Sequence, residues 1–548
     1  MLENSLKTKS MVMSKKVVHI VLFLLIVLVI TIASIDEEIF KINKSFEILG
    51  EVYWNINENY VDEIDPEELF NAAINGMLAV LDPYSEYYNE NSENDLEFLK
   101  SGEYIGFGMT VDVKQGKLTI TNLFDGYPAA NSGLRIGDRI FQIDTAIIID
   151  KPASIIREFS NGKIGEKIKV KVIRDGIKDT LDFWLNRMII NLPDVRLAHI
   201  IEDTIGYIKI DRFTKQTSIT FKNELRTLYN SGKIKSLIID LRDNPGGLMN
   251  EAIEICGLFV PAKTMIVKTK NRFGEIYQYQ TLSNPLYPEL PLIILINNQS
   301  ASAAEIIAGA LQDLDRAVVI GEKSFGKGLV QSIISLPYNA SLKLTTSKYY
   351  FPSGRCIQKI QYGKKIEQES NIFYTKNGRP VKESSGITPD TIVLKQQEDL
   401  IIQDLKLNDC FFNFANTWSS KYKNLPEDFQ NDTKVFDDFM NFLKATKYFD
   451  NTTIITKITE IEEISSINKF DTEVRSDLSK IKNKLKQNQE LKLINKKDNI
   501  LIEIRNEILK RFYSNDEYTR YSLNYDEYIK LAKTIIQKSN YKKILKFH

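Results

Sequence analysis

Histidine is scarce in this chain of 548 residues, which contains only three: His19, His199 and His548. His19 lies in an apolar run near the amino terminus, His548 is the last residue, and His199 belongs to no evident catalytic motif. A serine nucleophile is most often activated by a histidine base that an aspartate orients. The distribution of histidines therefore argues against a Ser–His–Asp triad.

The chain also contains few cysteines and carries no formal net charge. The three cysteines, Cys256, Cys356 and Cys410, are widely spaced, so the sequence indicates neither a zinc motif nor a disulfide framework, although one intramolecular bridge stays open. Lys and Arg total 72, as do Asp and Glu, and the formal net charge is zero. Without a basic block, nucleic acid is not expected as a partner. We expect no metal and no cofactor.

One long hydrophobic run stands out at residues 17–35, with lysines before it and Asp36, Glu37 and Glu38 after it. A helix of that length, at about 1.5 Å per residue, nearly spans a hydrocarbon core of about 30 Å. The lysines that precede this run predict that the amino terminus stays on the cytoplasmic side of the membrane. We predict a cytoplasmic stub and transmembrane anchor in residues 1–36, with a cleaved signal peptide as the alternative. Either places the working domains in the periplasm or cell envelope, anchored to the membrane or secreted after cleavage.

At roughly 150 residues per domain, the length of the chain predicts three or four domains. The sequence pattern also changes along the chain. Residues 37–95 repeat apolar positions at helical spacing. Residues 96–190 contain short alternating strands separated by glycines and indicate a β-rich domain. Residues 191–395 alternate strand and helix, which indicates an α/β domain around a largely parallel sheet. Residues 396–548 are rich in Lys, Asn, Asp and Glu and predict a helical extension.

The stretch NNQSASAAEI, residues 297–306, joins the apolar strand LIILI to a helix. Ser302 would lie where the helix begins, and there the unsatisfied N–H groups and the helix dipole stabilise a developing oxyanion. The alternative is that Ser300 or Ser302 simply caps the helix. A nucleophilic serine needs a base, so the rest of the chain must provide one.

Lysine is the other base that pairs with serine. GEKSFGKGLVQ, residues 321–331, places Lys327 between Gly326 and Gly328 after the apolar strand AVVI. Burial would lower the pKa of this lysine from its usual value of about 10.4. Gln331 could bind its amine without adding a charge, whereas a carboxylate there would raise the pKa. A solvated loop lysine is the alternative.

The motif DLRDNPGG, residues 240–247, follows a buried strand and precedes a helix. Gly246 and Gly247 carry no side chain, so their backbone N–H groups could approach a substrate carbonyl closely. Together with the N–H of Ala303 they could form an oxyanion hole. A simple strand-to-helix turn is the alternative.

These motifs, followed by KLTTSKYYFPSGRCIQ and GITPD, occur in the order found in the C-terminal processing (tail-specific) proteases, the S41 serine peptidases. The chain resembles this family over roughly residues 45–395, and LDPYSEYY near residue 81 is similar to its amino-terminal signature. The resemblance implies a crotonase/ClpP-like α/β protease core. It also implies five roles: Ser302 as nucleophile, Lys327 as general base, Gln331 as its support, Gly246 or Gly247 with Ala303 as oxyanion donors, and Asp313 as a supporting acid.

Residues 96–190 resemble the PDZ domain of that family, above all in YPAANSGLRIGDRIFQID. PDZ domains bind peptide C-termini by strand addition, and backbone N–H groups hold the terminal carboxylate. The candidate carboxylate cradle is the loop Gly106, Phe107, Gly108 and Met109. Ala304 and Ile136 depart from common family residues, but neither is a proposed catalytic residue.

The sequence therefore predicts a serine endopeptidase with a Ser/Lys dyad that recognises protein C-termini and cleaves exported proteins through an acyl-enzyme. The expected partners are polypeptides with exposed C-termini and, through the amino-terminal segment, the membrane; a homo-oligomer stays open. The alternative is a non-catalytic, membrane-anchored PDZ scaffold on a degenerate protease fold. A third possibility is a structural protein whose carboxy-terminal extension carries the function.

Overall fold

The structure is a computed structural model, and it divides the chain into two units, residues 1–87 and 88–548. It describes residues 15–545 with gaps, and the residues outside the description are 1–14, 91, 93–96, 98–100, 150, 152–158, 160–161, 363–365, 368–370, 384–385, 394–398, 428, 430–433, 468–471, 538–539 and 546–548. For residues 15–36, 361, 366–367 and 453 it describes the backbone alone.

The first unit is helical, as the sequence predicts. Helix α1 spans Lys15–Asn59 and α2 spans Pro66–Leu78, and a short strand β1 follows at Glu86–Tyr88. Asp65 caps α2 by accepting a hydrogen bond from the N–H of Glu67 at 2.8 Å. The side chains of the predicted membrane segment, residues 17–35, lie outside the description. Across the part of the chain whose side chains are described, no helix is long and apolar enough to cross a membrane.

The next domain is β-rich, as predicted. Its elements are β2 (Glu103–Gly106), β3 (Met109–Lys114), β4 (Lys117–Leu123), α3 (Pro128–Asn131), β5 (Arg139–Ile143), β6 (Ala146–Ile147), β7 (Lys167–Ile173), β8 (Leu181–Asn186) and β9 (Met188–Asn191). The main sheet has the order β3-β4-β5-β7-β8, and β2 pairs separately with β9. Alternating apolar side chains, among them Ile120, Val170 and Val172, form a buried core of its own.

The third domain contains the predicted parallel sheet. Its elements are β10 (Val195–Ile201), β11 (Ile205–Ile210), α4 (Thr217–Asn230), β12 (Ser236–Asp240), α5 (Met249–Gly257), β13 (Met265–Asn271), β14 (Ile276–Gln280), β15 (Leu292–Ile296), α6 (Ala303–Asp313), β16 (Ala317–Gly321), β17 (Leu329–Ser335), β18 (Ser341–Tyr350), β19 (Ile360–Gln361), β20 (Ile366–Glu367), β21 (Ile372–Tyr374), β22 (Pro380–Lys382) and β23 (Thr391–Ile392). The central sheet has the order β10-β11-β12-β15-β16-β23. Only β10 runs antiparallel to its neighbour among these strands. The strands β13, β14, β17 and β18 pair in a second, antiparallel sheet.

Both faces of the central sheet are buried at β12, β15 and β16, where every residue is buried. This explains why these three strands do not alternate between apolar and polar residues. In β12, Leu237 and Ile239 join the cluster formed with α4, α5 and α6. Ile238, between them, joins a different cluster, in which side chains of the sheet pack against residues 523–545. The end of the carboxy-terminal extension therefore forms the second layer on the central sheet.

The carboxy-terminal extension is helical, as predicted. Its helices are α7 (Leu400–Leu407), α8 (Cys410–Ser419), α9 (Lys434–Ala445), α10 (Thr453–Ile467), α11 (Thr472–Asn495), α12 (Lys497–Leu509), α13 (Asn515–Leu523), α14 (Glu527–Gln537) and α15 (Asn540–Leu545). A cluster rich in aromatic residues, including Phe414, Trp418 and Phe439, joins α7, α8, α9 and α12. The last three helices pack on the central sheet instead.

Candidate active site

Ser302 lies in a sharp turn between β15 and the first residue of α6. Its backbone has φ 54° and ψ −113°, which is an unusual conformation for a residue other than glycine. Holding a residue in such a region costs of order 1–3 kcal/mol, and strain of this kind concentrates at functional sites. The N–H of Ser302 donates to Oε2 of Glu305 at 2.8 Å, and the serine is only partly buried. The backbone is thus held by the helix while the side chain remains partly accessible.

Ser300 has a different environment. It is fully buried, and its hydroxyl donates to the carbonyl oxygen of Leu241 at 2.7 Å. The same hydroxyl accepts a hydrogen bond from the N–H of Asn297 at 2.9 Å. These contacts join the segments that follow β12 and β15 and engage the Ser300 hydroxyl on both sides.

The DLRDNPGG turn contacts the Ser302 turn directly. A Cβ atom on Gly246 would lie 2.7 Å from Cβ of Ser302 and 3.0 Å from the backbone nitrogen of Ala303, so only glycine fits. Gly247 has φ +140°, and a Cβ there would lie 2.1 Å from the carbonyl oxygen of Phe213. The N–H of Gly246 itself donates to Oδ1 of Asn244 at 2.8 Å. The structure therefore brings together the three residues predicted for an oxyanion hole.

Lys327 lies in the GEKSFGKG segment, residues 321–328, which we call the lysine loop. Several contacts fix the conformation of this loop. The N–H of Lys327 donates to Oε2 of Glu305 at 3.0 Å, and its carbonyl oxygen accepts from the hydroxyl of Tyr349 at 2.6 Å. The N–H of the next residue, Gly328, donates to Oε1 of Gln358 at 2.8 Å. The lysine is partly buried. The loop is therefore a defined structure rather than a freely solvated segment.

Gln331 lies on β17, after the lysine loop. Its Nε2 donates to Oγ1 of Thr345 on the neighbouring strand β18 at 3.1 Å. The register of the two strands shifts between Val330 and Gln331. This contact fixes the amide group of Gln331 at the start of the strand that leaves the lysine loop.

Glu305 connects the two loops, and sequence reasoning did not single it out. It is fully buried, and it accepts hydrogen bonds from the N–H groups of Ser302 and Lys327. It also accepts from Oγ of Ser324 at 2.5 Å and from the N–H of Gly326 at 2.7 Å. Burial raises the pKa of Glu305 to about 7, although these hydrogen bonds oppose the rise. In the sequence, an acidic residue three positions after a serine indicates only a capping box.

Asp313 lies at the opposite end of α6 from Ser302, and 11 helical residues separate the two ends by about 16 Å. Its carboxylate forms an ion pair with Arg355 at 2.7 Å, and both side chains are buried. Burial raises the pKa of Asp313, and Arg355 opposes that rise. The structure therefore does not bring Asp313 to the serine or the lysine.

The predicted carboxylate cradle lies between β2 and β3. Phe107 is buried, and its carbonyl oxygen accepts from the N–H of Ala129 at 2.9 Å. Gly108 has φ +74°, and a Cβ there would lie 2.2 Å from Cβ of Tyr127. In the main sheet of this domain, β3 begins at Met109 and, within the described strands, pairs with β4 alone. The loop therefore leads into an edge strand.

No metal site is evident within the described ranges, where no group of three or more His, Cys, Asp or Glu side chains could hold an ion. His199 lies on β10 with its side chain largely exposed, and partial desolvation, followed by the nearby charge of Arg520, lowers its pKa.

Four family models match successive parts of the chain. The model for peptidase family S41 matches residues 204–367, and a PDZ domain model matches residues 104–185. A model described as a probable PDZ-protease C-terminal helical domain matches residues 401–536. A model of the N-terminal domain of the activating protease CtpB matches residues 31–92.

Individual proteins are similar over much of the chain. A carboxy-terminal-processing protease of Bartonella bacilliformis is 36% identical over 58% of this chain and 73% of its own length. Carboxy-terminal processing protease CtpB of Bacillus subtilis is 28% identical over 81% of this chain and 89% of its own. The solved photosystem II D1 C-terminal processing protease is 22% identical over 63% of this chain and 91% of its own, with a TM-score of 0.38.

The matching family models and the Bartonella relative define the class of protein as a serine protease with a PDZ domain. More particularly, the chain belongs to peptidase family S41, and its relatives are C-terminal processing peptidases.

Proposed function

We propose that this protein is an endopeptidase in which Ser302 is the nucleophile and Lys327 is the general base. The observation that carries this proposal is the shared acceptor Glu305, which binds the backbone N–H groups of both residues through one oxygen atom. A lysine can act as a base for serine where its amine is kept neutral. Gln331 would orient that amine without adding a charge, because its Nε2 is engaged with Thr345 and its carbonyl oxygen can accept from the amine.

The reaction would proceed through an acyl-enzyme. The neutral amine of Lys327 takes the proton from Oγ of Ser302, and Oγ attacks the carbonyl carbon of the scissile bond. The resulting oxyanion would be stabilised by the N–H groups of Ala303 and Gly247, since the N–H of Gly246 already binds Asn244. The C–N bond then breaks, and the Lys327 ammonium protonates the leaving amine. Water hydrolyses the ester, with Lys327 again as base.

The PDZ domain would select the substrate. A peptide C-terminus would add as a strand to the edge strand β3, and its carboxylate would bind the backbone of Gly106, Phe107, Gly108 and Met109. The substrates would be exported polypeptides, since the apolar segment 17–35 would anchor the chain in the membrane with the domains outside.

Cleavage of casein by the purified full-length protein tests the catalytic assignment. Wild type should cleave it, whereas Ser302→Ala and Lys327→Ala should lose at least about 1,000-fold in kcat, because each removes an essential part of the dyad. Lys323→Ala is the matched control, since Lys323 is an exposed lysine of the same loop, and it should retain activity. Cleavage by Ser302→Ala at the wild-type rate would contradict the assignment, and an inactive wild type would favour the scaffold alternative.

A second variant tests the role of Gln331. Gln331→Glu places a carboxylate near the Lys327 amine, which would raise the pKa of that amine. The pH profile of kcat should then move to higher pH, whereas Gln331→Met should lower kcat without that shift. An unchanged profile in Gln331→Glu would remove Gln331 from the proposed site.

A further inference from the structure

The first turn of α14, in the carboxy-terminal extension, contacts both loops of the proposed active site. The carboxylate of Asp526 forms an ion pair with Arg242 of the DLRDNPGG motif at 2.7 Å. Two residues later, the hydroxyl of Tyr528 donates to Oε1 of Glu322, at the start of the GEKSFGKG loop, at 2.5 Å. One helical turn therefore touches the segment that carries the oxyanion glycines and the segment that carries Lys327.

On the oxyanion side, the contact continues through Arg242 to a buried carboxylate. The Nε of Arg242 donates to Oδ1 of Asp240 at 2.9 Å, and its backbone N–H donates to the same oxygen at 3.0 Å. Asp240 is fully buried at the end of β12, and it also accepts from the hydroxyl of Tyr207 at 2.7 Å. The Arg242 guanidinium lies over the ring of Tyr528, 4.6 Å from its centroid. The conformation of this turn is thus fixed partly by groups from α14.

On the lysine side, the contact reaches the end of the parallel sheet. Glu322 follows β16, and its N–H donates to the carbonyl oxygen of Ile296, the last residue of β15. Gly321 packs so close to α14 that a Cβ there would lie 3.2 Å from Cε1 of Tyr528. Tyr528 therefore binds the residue from which the lysine loop departs.

Covering the sheet does not require these polar contacts. Ile529, Ala532 and Ile535 of α14 already pack into the apolar cluster on the sheet. Asp526 instead begins the helix by accepting from the N–H of Tyr528 at 2.8 Å, and its other oxygen binds Arg242. A helix that only covered apolar surface would not need a carboxylate directed at a catalytic loop.

We propose that Asp526 and Tyr528 are positioning residues that hold the DLRDNPGG turn and the lysine loop in register with each other. This inference rests on the proposed Ser302/Lys327 site. The two loops must keep their spacing to well under 1 Å for the oxyanion donors and the base to act on the same substrate. The carboxy-terminal extension is then a part of the active-site framework as well as a covering layer.

The test compares Asp526→Asn and Tyr528→Phe with Lys533→Gln in the full-length protein. Lys533 is the matched control, because it lies on the same helix and pairs with Glu202 on the protein surface at 2.7 Å, away from both loops. We expect the first two variants to lower kcat about tenfold or more, with KM changed less than about twofold. Backbone hydrogen exchange at 240–247 and 321–328 should accelerate in these variants and not in Lys533→Gln.

The outcomes separate this inference from the proposed function. If wild type cleaves substrate and Ser302→Ala does not, the proposed function holds. If Asp526→Asn and Tyr528→Phe then keep kcat within about twofold of Lys533→Gln, or lose it without faster exchange in either loop, the positioning role is wrong. If wild type does not cleave, the proposed function fails, and unchanged exchange in both loops would overturn the positioning contact independently.

Discussion

Ser302 and Lys327 are joined through their backbones, since the N–H groups of both residues donate to the same oxygen of Glu305, at 2.8 and 3.0 Å. The serine turn and the lysine loop are thus fixed against one buried carboxylate rather than against each other. A buried group that serves several donors is costly to alter, because each donor left unpaired costs about 1–3 kcal/mol. Glu305 is therefore the residue on which the geometry of the site depends most.

The pKa of Glu305 makes the stability of the core depend on pH. Burial raises this pKa from 4.5 to about 7, so between these values the folded state holds a proton that the unfolded state has released. The carboxyl group thus stabilises the fold below about pH 4.5, and the contribution declines as pH rises through about 7. Over this pH range the free energy of unfolding falls by on the order of 3 kcal/mol. Melting temperatures of wild type and Glu305→Gln, measured at pH 5 and pH 8, test this.

Glu305→Gln is the reference because its amide does not titrate. We expect the melting temperature of wild type, relative to this variant, to be lower at pH 8 than at pH 5. The variant should also lose about tenfold or more in kcat, since its NH₂ group faces backbone donors. A difference in melting temperature that rises with pH would show that the sign of the pKa shift is wrong.

The contact between Gly246 and Ser302 predicts a strong effect of one methyl group. Gly246→Ala would place a Cβ 2.7 Å from that of Ser302, at a φ of +100° that alanine adopts poorly. We expect kcat to fall about 100-fold or more, because the oxyanion donors must move. Gly232→Ala is the control, since Gly232 also has a positive φ but has nothing within 4 Å. Its cost should be about 1 kcal/mol in stability, with kcat retained. Equal kcat in Gly246→Ala and Gly232→Ala would contradict the proposed oxyanion hole.

Peptide capture can be tested in the PDZ loop. Gly108→Ala would place a Cβ 2.2 Å from that of Tyr127, so the loop must change shape. We expect the affinity for a peptide with a free C-terminal carboxylate to fall about tenfold or more, measured by calorimetry on full-length Ser302→Ala. Gly126→Ala, another positive-φ site with open space around it, should bind as before. Unchanged binding in Gly108→Ala would exclude this loop as the cradle.

Asp313 should affect stability rather than catalysis. Asp313→Asn leaves the buried Arg355 without its charged partner, and breaking a buried pair costs about 3–5 kcal/mol. The melting temperature should therefore fall, while kcat per folded molecule stays within about twofold of wild type. A large loss of kcat at an unchanged melting temperature would restore the catalytic role that the family resemblance implies for Asp313.

Short-range patterns were sufficient to predict most of the fold. The run LIILI corresponds to β15, and the small residues after it begin α6, because a buried parallel strand and a helix start have local signatures. The layer formed by α13–α15 was not predicted. Its apolar positions, such as Ile529 and Ile535, show only that the helix has a buried face, and the partner of that face is more than 200 residues earlier in the chain.

The candidate site was predictable to a similar extent. The residue types at Ser302, Lys327 and Gly246 have chemical consequences that can be inferred without a structure. Glu305 could not be distinguished from an ordinary helix cap, because three of its four donors are identified only when the GEKSFGKG loop folds over it. Arg242 and Asp526 are similarly uninformative in sequence, since a surface ion pair and a contact to a catalytic turn involve the same residue types.

The central claim is that Ser302 forms the covalent intermediate with Lys327 as its base. The most direct measurement is acid-quench mass spectrometry with a peptide ester substrate, followed by mapping of the acylated residue. We predict a single acyl group, an ester on Ser302, in wild type, no adduct in Ser302→Ala, and at least about 100-fold slower acylation in Lys327→Ala. An acyl group on another side chain, or acylation of Lys327→Ala at the wild-type rate, would contradict the account.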